Sequence, residues 1–393
     1  MRTHPQTARQ IDQIEVFAYR VPITAPVSTS FGIMRSRPAV FVRLTDADGA
    51  QGWGEIFANW PAAGAEHRAR LLLEDISDLV LGQRPETPAA LLRMLEPATH
   101  IRALQCGEWG PFRQVLAGLD CAMHDMAARR DGLSLARWLA PDLPDQPRIP
   151  VYASGIHVAD GTRTLPRQRE AGHRTFKVKI GFDEGADRKA LFAIADSLAP
   201  DETLAADANQ VWTLPQAQAF CRDTADLPLR WLEEPIAADS PPAHWTRLAE
   251  TSPHPLAAGE NITGHADFDA AIGAGDLAVL QPDVAKWGGV SGCLAVGRAA
   301  IKAGRIYCPH FLGGGIGLLA SAHLLAAAGG PGLLEMDVNP NPLRDAFPGT
   351  DPKVSEGQIT LSEAPGLGIT DLPEAIARYQ TFAKSRSLSG TTD

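Results

Sequence analysis

Short apolar runs that stop on a charged or imidazole side chain recur through the second half of the chain. They end on Lys179, Asp207, Glu233, Glu260, Asp283, His310 and Glu335, at intervals of 23 to 28 residues. A strand, a loop, a helix and a return loop occupy about that length in a βα unit. The sharpest case is Arg230-Trp231-Leu232-Glu233-Glu234-Pro235, where a strand with a buried character finishes on two carboxylates and a proline. Buried strands have little reason to finish that way unless the strand end faces something positive. Ile149-Pro150-Val151-Tyr152-Ala153-Ser154 adds a strand ahead of the seven. The pattern predicts an α/β protein built on a (β/α)8-type barrel, with polar strand ends gathered at one mouth.

The first part of the chain has a different rhythm. Ile14 to Tyr19, Ala39 to Leu44 and Gly52 to Glu55 alternate like an antiparallel ribbon, with a turn at Asp46 to Ala50. Between the first two strands, the Ser/Thr/Gly-containing segment Thr24 to Arg37 is expected to be a surface loop or a mobile flap. Helical spacing follows at Leu71, Leu72, Ile76, Leu79 and Val80, and again at Val115, Leu119, Met123 and Met126. His124 lies in that second pattern and is expected to be a packed core histidine. Pro141, Pro144 and Pro147 mark a linker. The expected division is an N-terminal α+β domain (1–147), the barrel (148–345) and a C-terminal segment (346–393). That last segment carries a strand at Ile359 to Leu361, a helix around Leu372 to Phe382, and a loose tail from Ser385.

Composition narrows the function classes. The 393 residues are 45% hydrophobic and 21% charged, enough for a sizeable core, and the formal net charge is −10. That charge argues against nucleic-acid binding and against an anionic membrane surface. No apolar run reaches the roughly 18 residues of a membrane span, and Met1 to Gln10 has no signal-peptide core. The five cysteines are scattered and odd in number, which fits reduced thiols in a cytoplasmic protein.

The strand ends carry the chemistry. Lys177 and Lys179 share one face of their strand, so their repulsion is expected to lower at least one pKa and make a base; the alternative is one solvated lysine and one surface ion pair. Asp207, Glu233 and Glu260 end three consecutive strands about 4.8 Å apart. Three hard-oxygen ligands so placed call for Mg²⁺, although each acid alone reads as a surface side chain or a helix N-cap. Asn209 shares the face of Asp207 and is a substrate-binding candidate. Asp283 and His310 end adjacent strands, where the carboxylate can orient the imidazole; a lone histidine before a glycine-rich loop would otherwise be structural. Glu335 can donate a hydrogen bond if burial keeps it protonated, or it is a surface acid.

In their order, these motifs resemble the enolase superfamily and, within it, the mandelate racemase subgroup. They are Lys177-Val178-Lys179, Asp207-Ala208-Asn209, Trp231 through Pro235, Gly259-Glu260-Asn261, Pro282-Asp283 through Gly289, and His310 with Glu335. The resemblance covers essentially the whole chain. It implies that the N-terminal α+β domain caps the barrel mouth and that the C-terminal segment returns to it. It further implies Mg²⁺ on Asp207, Glu233 and Glu260, with Lys179 as one acid/base tuned by Lys177. The His310–Asp283 pair would be the other, on the opposite face, and Glu335 would hydrogen-bond the substrate carboxylate. The muconate-lactonizing branch usually has a lysine where Asp283 stands and an aspartate where Glu260 stands, so both positions point away from it.

The run Asp207-Ala208-Asn209-Gln210-Val211-Trp212 is similar to runs in sugar-acid dehydratases. It favours dehydration of an aldonic or aldaric acid to a 2-keto-3-deoxy acid, ahead of a 2-hydroxy-acid racemase or epimerase, and well ahead of a catalytically silent binding protein. The expected partner is a small-molecule carboxylate, and the expected assembly a homo-oligomer. Specificity is expected from Thr24 to Arg37 and Phe57 to Ala65, with Arg35 or Arg37 meeting a distal carboxylate and Asn59 and Trp60 lining the pocket.

Overall fold

The computed structural model describes residues 9–29 and 32–388, with side chains of 24–29 left out. An antiparallel sheet opens the chain, with β1 at Ile11–Thr29, β2 at Gly32–Asp46 and β3 at Gln51–Ile56. Behind it pack the long helices Pro88–Cys106 and Trp109–Arg130. The strand-to-helix approach is close enough to require glycine. A Cβ on Gly54 would sit 2.0 Å from the Gly118 carbonyl oxygen.

The parallel sheet that follows has eight strands among the described residues. They are β4 (Arg148–His157), β5 (Thr175–Lys179), β6 (Thr203–Asp207), β7 (Leu229–Glu233), β8 (Leu256–Ala258), β9 (Val279–Leu280), β10 (Ile306–Tyr307) and β11 (Leu334–Asp337). Their order is β10-β9-β8-β7-β6-β5-β4-β11. The ring is completed between β10 and β11, where the Leu333 amide reaches the Cys308 thiol at 3.3 Å. Inside it, Tyr152, Ala205, Trp231, Ala257, Val279, Cys308 and Leu333 form a packed layer. Tyr152 and Trp231 meet edge to face, 5.3 Å between centroids, which contributes about 0.5–1.5 kcal/mol beyond burial. Charged residues therefore belong at the mouth, above a filled core.

Seven of the strands lead into helices of ten residues or more. After β11 there is only the turn Pro342–Asp345, which Pro342 opens at its first position and which ends ahead of Pro348. Two short strands, β12 (Gln358–Thr360) and β13 (Gln380–Ser387), follow; β12 pairs with β4 and β13 with β1.

Two local expectations are corrected. The described residues of the Thr24 to Arg37 segment, 24–29 and 32–37, are not an irregular surface loop. They belong to the β1–β2 ribbon, which pairs again at Val27↔Met34, Ser28↔Ile33 and Thr29↔Gly32 after a register shift between Pro22 and Val27. The prolines interrupt the ladder, and the β-branched residues beyond them resume it. The helix expected around Leu372 to Phe382 is a short 3₁₀ segment, Glu374–Tyr379, followed by β13, which takes in Ser385–Ser387 from the expected tail. Residues 389–393 lie outside the described part. No helix among the described residues is long and apolar enough to cross a membrane.

Candidate active site

Because side chains alternate along β5, Lys177 and Lys179 both enter the barrel, one layer apart. Lys177 is buried, with its Nζ 2.5 Å from Glu233 Oε1, 2.8 Å from Glu335 Oε1 and 3.4 Å from Asp207 Oδ2. Lys179 is half-buried and donates to Asp207 Oδ2 at 2.5 Å. The expected lowering of a lysine pKa is therefore corrected. Burial does push both ammonium groups down, but Glu233 and Glu335 lift Lys177 well above the usual value, and Asp207 lifts Lys179. Magnitudes explain the outcome. At an effective dielectric of about 20, an opposite charge near 3 Å is worth about 5–6 kcal/mol, whereas two ammonium groups about 6 Å apart repel by about 3 kcal/mol. Each lysine has at least one carboxylate at the shorter distance.

Asp207 and Glu233 end adjacent strands in register and share a hydrogen bond. Burial would raise Asp207, but Lys179 and Lys177 hold it down at about 2; burial and the neighbouring Asp207 charge push Glu233 up to about 7. Glu233 Oε2 also accepts from Trp231 Nε1 (3.0 Å) and Gln281 Nε2 (2.7 Å). Next to it, burial and Glu260 raise Glu234 to about 8.

Glu260, Asp283 and His310 lie two or three residues past the ends of β8, β9 and β10. An isolated parallel bridge joins Asp283 to His310. Asp283 Oδ1 accepts the amides of Ala285 and Lys286, which leaves Oδ2 2.7 Å from His310 Nδ1. His310 Nε2 meets Glu260 Oε2 at 2.5 Å. Burial disfavours a charged imidazole, but Glu260, Glu335 and the Asp283 bond raise His310 far above the ordinary histidine range. Glu335 accepts from Ser154 Oγ (2.5 Å) and the Phe311 amide (3.2 Å). The protonated Glu335 expected from burial is also corrected, because Lys177 and His310 outweigh burial and lower its pKa.

Six carboxyl groups (Asp207, Glu233, Glu234, Glu260, Asp283, Glu335) thus face three ammonium groups and one imidazole. Among the described residues, no three His, Cys, Asp or Glu side chains are grouped to hold a metal as they stand. Asp207 and Glu233 touch, while Glu260 turns to His310 and to Lys286, 3.0 Å away. The convergence of three carboxylates is therefore not present. The donor chemistry nevertheless fits a hard divalent cation, because the acid excess that lifts Glu233 and Glu234 is the charge such an ion would neutralise.

Above these groups opens a cavity of about 790 Å³, bordered by Lys179, Asn209, Glu260, His310 and Glu335 below and by Arg37, Asn59 and Trp60 from the N-terminal part. Asn59 donates to the Leu312 carbonyl at 2.7 Å. Arg35 is exposed and does not border the cavity. Arg37 does, but it is buried against Asp337 at 3.0 Å, so neither arginine offers the free cation expected for a distal carboxylate. Two residues apart on β2, the two arginines share a face of the strand, and only Arg37 meets an acid from β11. His124 is buried, 2.9 Å from the Asp120 carbonyl, as a core residue. Sequence reasoning passed over Lys286, Gln281, Ser154 and Asp337. For Lys286, the signal available was its place three residues after Asp283.

Residues 13–139 match the family model described as the mandelate racemase/muconate lactonizing enzyme N-terminal domain, and residues 162–375 match the enolase C-terminal domain-like model. A solved structure titled mandelate racemase/muconate lactonizing enzyme, from Bordetella bronchiseptica RB50, is 46% identical over 94% of this chain and 99% of its own, with a TM-score of 0.86. L-talarate/galactarate dehydratase from Salmonella typhimurium LT2, liganded with Mg and L-lyxarohydroxamate, is 25% identical over 98% and 97%, with a TM-score of 0.84. D-galactarolactone cycloisomerase from Agrobacterium fabrum is 26% identical over 88% of this chain and 92% of its own.

Proposed function

The chain belongs to the mandelate racemase/muconate lactonizing enzyme family of the enolase superfamily, and from that premise we propose that it dehydrates a sugar acid, aldonic or aldaric, to a 2-keto-3-deoxy acid. One observation carries this reading. Lys179 and the Asp283-held His310 border the same cavity, with Glu335 beside them.

In the proposed reaction, Lys179 Nζ first gives up the proton that its pairing with Asp207 favours, a pairing that would loosen with Asp207 engaged as a metal ligand. The neutral amine then takes the proton from the carbon next to the substrate carboxylate. That proton is weakly acidic, because its removal places a second negative charge on the carboxylate end. Asp207, Glu233 and Glu260 are the residues that would hold Mg²⁺, and the bound ion would supply stabilisation of that charge. Lys177 adds a fixed positive charge from below, and Glu335, held ionised here by Lys177 and His310, would hydrogen-bond the carboxylate end once it takes up a proton. Carboxylates against both ring nitrogens favour the imidazolium form of His310, from which Nε2 can give its proton to the 3-hydroxyl as the C3–O bond breaks and water leaves. The enol that remains becomes the 2-keto acid by taking a proton at C3. Asp283 keeps the Nδ1 proton in place and aims Nε2 at the cavity. If His310 instead exchanged a proton at C2, the same pair would racemise or epimerise the acid.

The test is proton NMR in D₂O with Mg²⁺, over aldonic, aldaric and simple 2-hydroxy acids. Signals of a 2-keto-3-deoxy product are expected. Loss of the C2 proton with every hydroxyl retained would replace dehydration by racemisation. Ring opening or closing of a lactone would move the protein toward the cycloisomerases. No change for any acid would remove the reading.

A further inference from the structure

We propose that Glu55 is a positioning residue for His310, through which the N-terminal domain sets the placement of the acid/base on the barrel; the functional half of this rests on the reaction proposed above. Glu55 lies near the end of β3 and is 3% exposed. Its Oε1 accepts the Gly314 amide at 2.5 Å and its Oε2 the Gly317 amide at 2.8 Å. Gly314 and Gly317 flank the start of the helix Gly315–Ala328, where backbone N–H groups have no partner within the helix and the helix dipole favours an anion.

The space for this carboxylate is built into the loop that carries His310. A Cβ on Gly313 would lie 2.8 Å from Glu55 Oε1, and one on Gly314 would lie 2.9 Å from it. Each Cβ would also meet a ring, Phe311 at 2.6 Å for Gly313 and Phe41 at 2.8 Å for Gly314, so a larger residue at either position would shift the loop. Three more contacts act on the same segment. Asn59 Nδ2 holds the Leu312 carbonyl at 2.7 Å, Asn341 Nδ2 holds the Gly313 carbonyl at 2.8 Å, and the Phe311 amide is tied to Glu335. One residue past β3, the Phe57 amide donates to the Ala285 carbonyl at 3.2 Å. The end of β3 therefore grips the loops after both Asp283 and His310, and Lys179 stands on β5, outside this arrangement.

That asymmetry distinguishes positioning from general scaffolding. Gln at 55 is nearly isosteric, but its amide cannot accept two N–H bonds through both terminal atoms, so one backbone donor would lose its partner. Small displacements of a proton donor can reduce rate by about 100-fold. For Glu55→Gln with the acid that the wild type dehydrates, product formation is expected to fall about 10- to 100-fold. Deuterium should meanwhile enter C2 of the recovered substrate, because the Lys179 step continues. An equal fall in both processes, or in neither, would overturn the proposal. If Glu55→Gln fails to give a cooperative melt, Gly314→Ala keeps the carboxylate and displaces the loop, and the same partition between product and C2 exchange is expected. A wild-type enzyme that processes no acid would refute the reaction, not the placement of the loop. In that case amide hydrogen exchange of residues 311–317 decides: faster exchange in Glu55→Gln supports the grip, and unchanged exchange overturns it.

Discussion

Removing the charge of Lys177 would leave Glu233 and Glu335 buried with their shared cation gone. Breaking a buried ion pair at one partner costs about 3–5 kcal/mol, because the remaining charge has neither water nor a counter-ion. Lys177→Met is therefore expected to lower unfolding free energy by about that amount in urea titrations at neutral pH, and a change under about 1 kcal/mol would mean that the two carboxyls simply take up protons. Lys179→Ala is a different case. The ammonium group is half-buried and its main partner is Asp207, so the variant should fold, retain Mg²⁺ binding by calorimetry, and lose dehydration; full activity would remove Lys179 from the mechanism. The sequence placed both lysines correctly on one face of β5. It could not give the sign of their pKa shifts, because that sign is set by carboxylates arriving from strands 28 to 158 residues away along the chain.

The helix Gly315–Ala328 carries two cross-chain ties, Glu55 at its start and His323 along its length. His323 Nδ1 accepts the Ala136 amide at 3.1 Å, and burial pushes its pKa down to about 4 while Glu363 pulls weakly the other way. The unfolded chain binds the proton near the ordinary value, so between about pH 6.5 and 4 the unfolded state holds more protons than the folded one. This contribution to stability is complete above pH 6.5 and is lost as pH falls, to a total of about 3 kcal/mol. His323→Gln should flatten that part of the pH–stability curve, measured by denaturant melts from pH 7 to 4, and a curve of unchanged slope would assign the acid loss to other groups. Elements differed in how well they could be read. The barrel strands were legible because a buried run ending on a charge marks both the face and the end of a strand. The ribbon beyond Pro26 and the strand β13 were not, because each depends on a partner: β2 for the ribbon, and β1, more than 360 residues earlier, for β13. The eighth helix was cut to one turn, and the sequence marked its bounds in Pro342 and Pro348.

At the scale of the whole molecule, the chain gathers six carboxyl groups around one mouth while carrying a formal net charge of −10. Cations on β5 and after β9 offset only part of that local charge, and burial lifts Glu233 and Glu234 to protonate what is left. A divalent ion that binds the folded state alone would relieve this strain and stabilise the whole fold by mass action. With free Mg²⁺ at about 100 times its dissociation constant, the gain is about 2.7 kcal/mol. Calorimetric melts with Mg²⁺ and with a chelator should therefore separate, with the higher melting temperature in Mg²⁺, and the gap should shrink in Glu233→Ala. The gap should also narrow as pH falls below about 7, since protons then compete for Glu233. Coincident melts in the wild type, at Mg²⁺ concentrations that support turnover, would mean that the ion arrives with the substrate and is not held by the three carboxylates on their own.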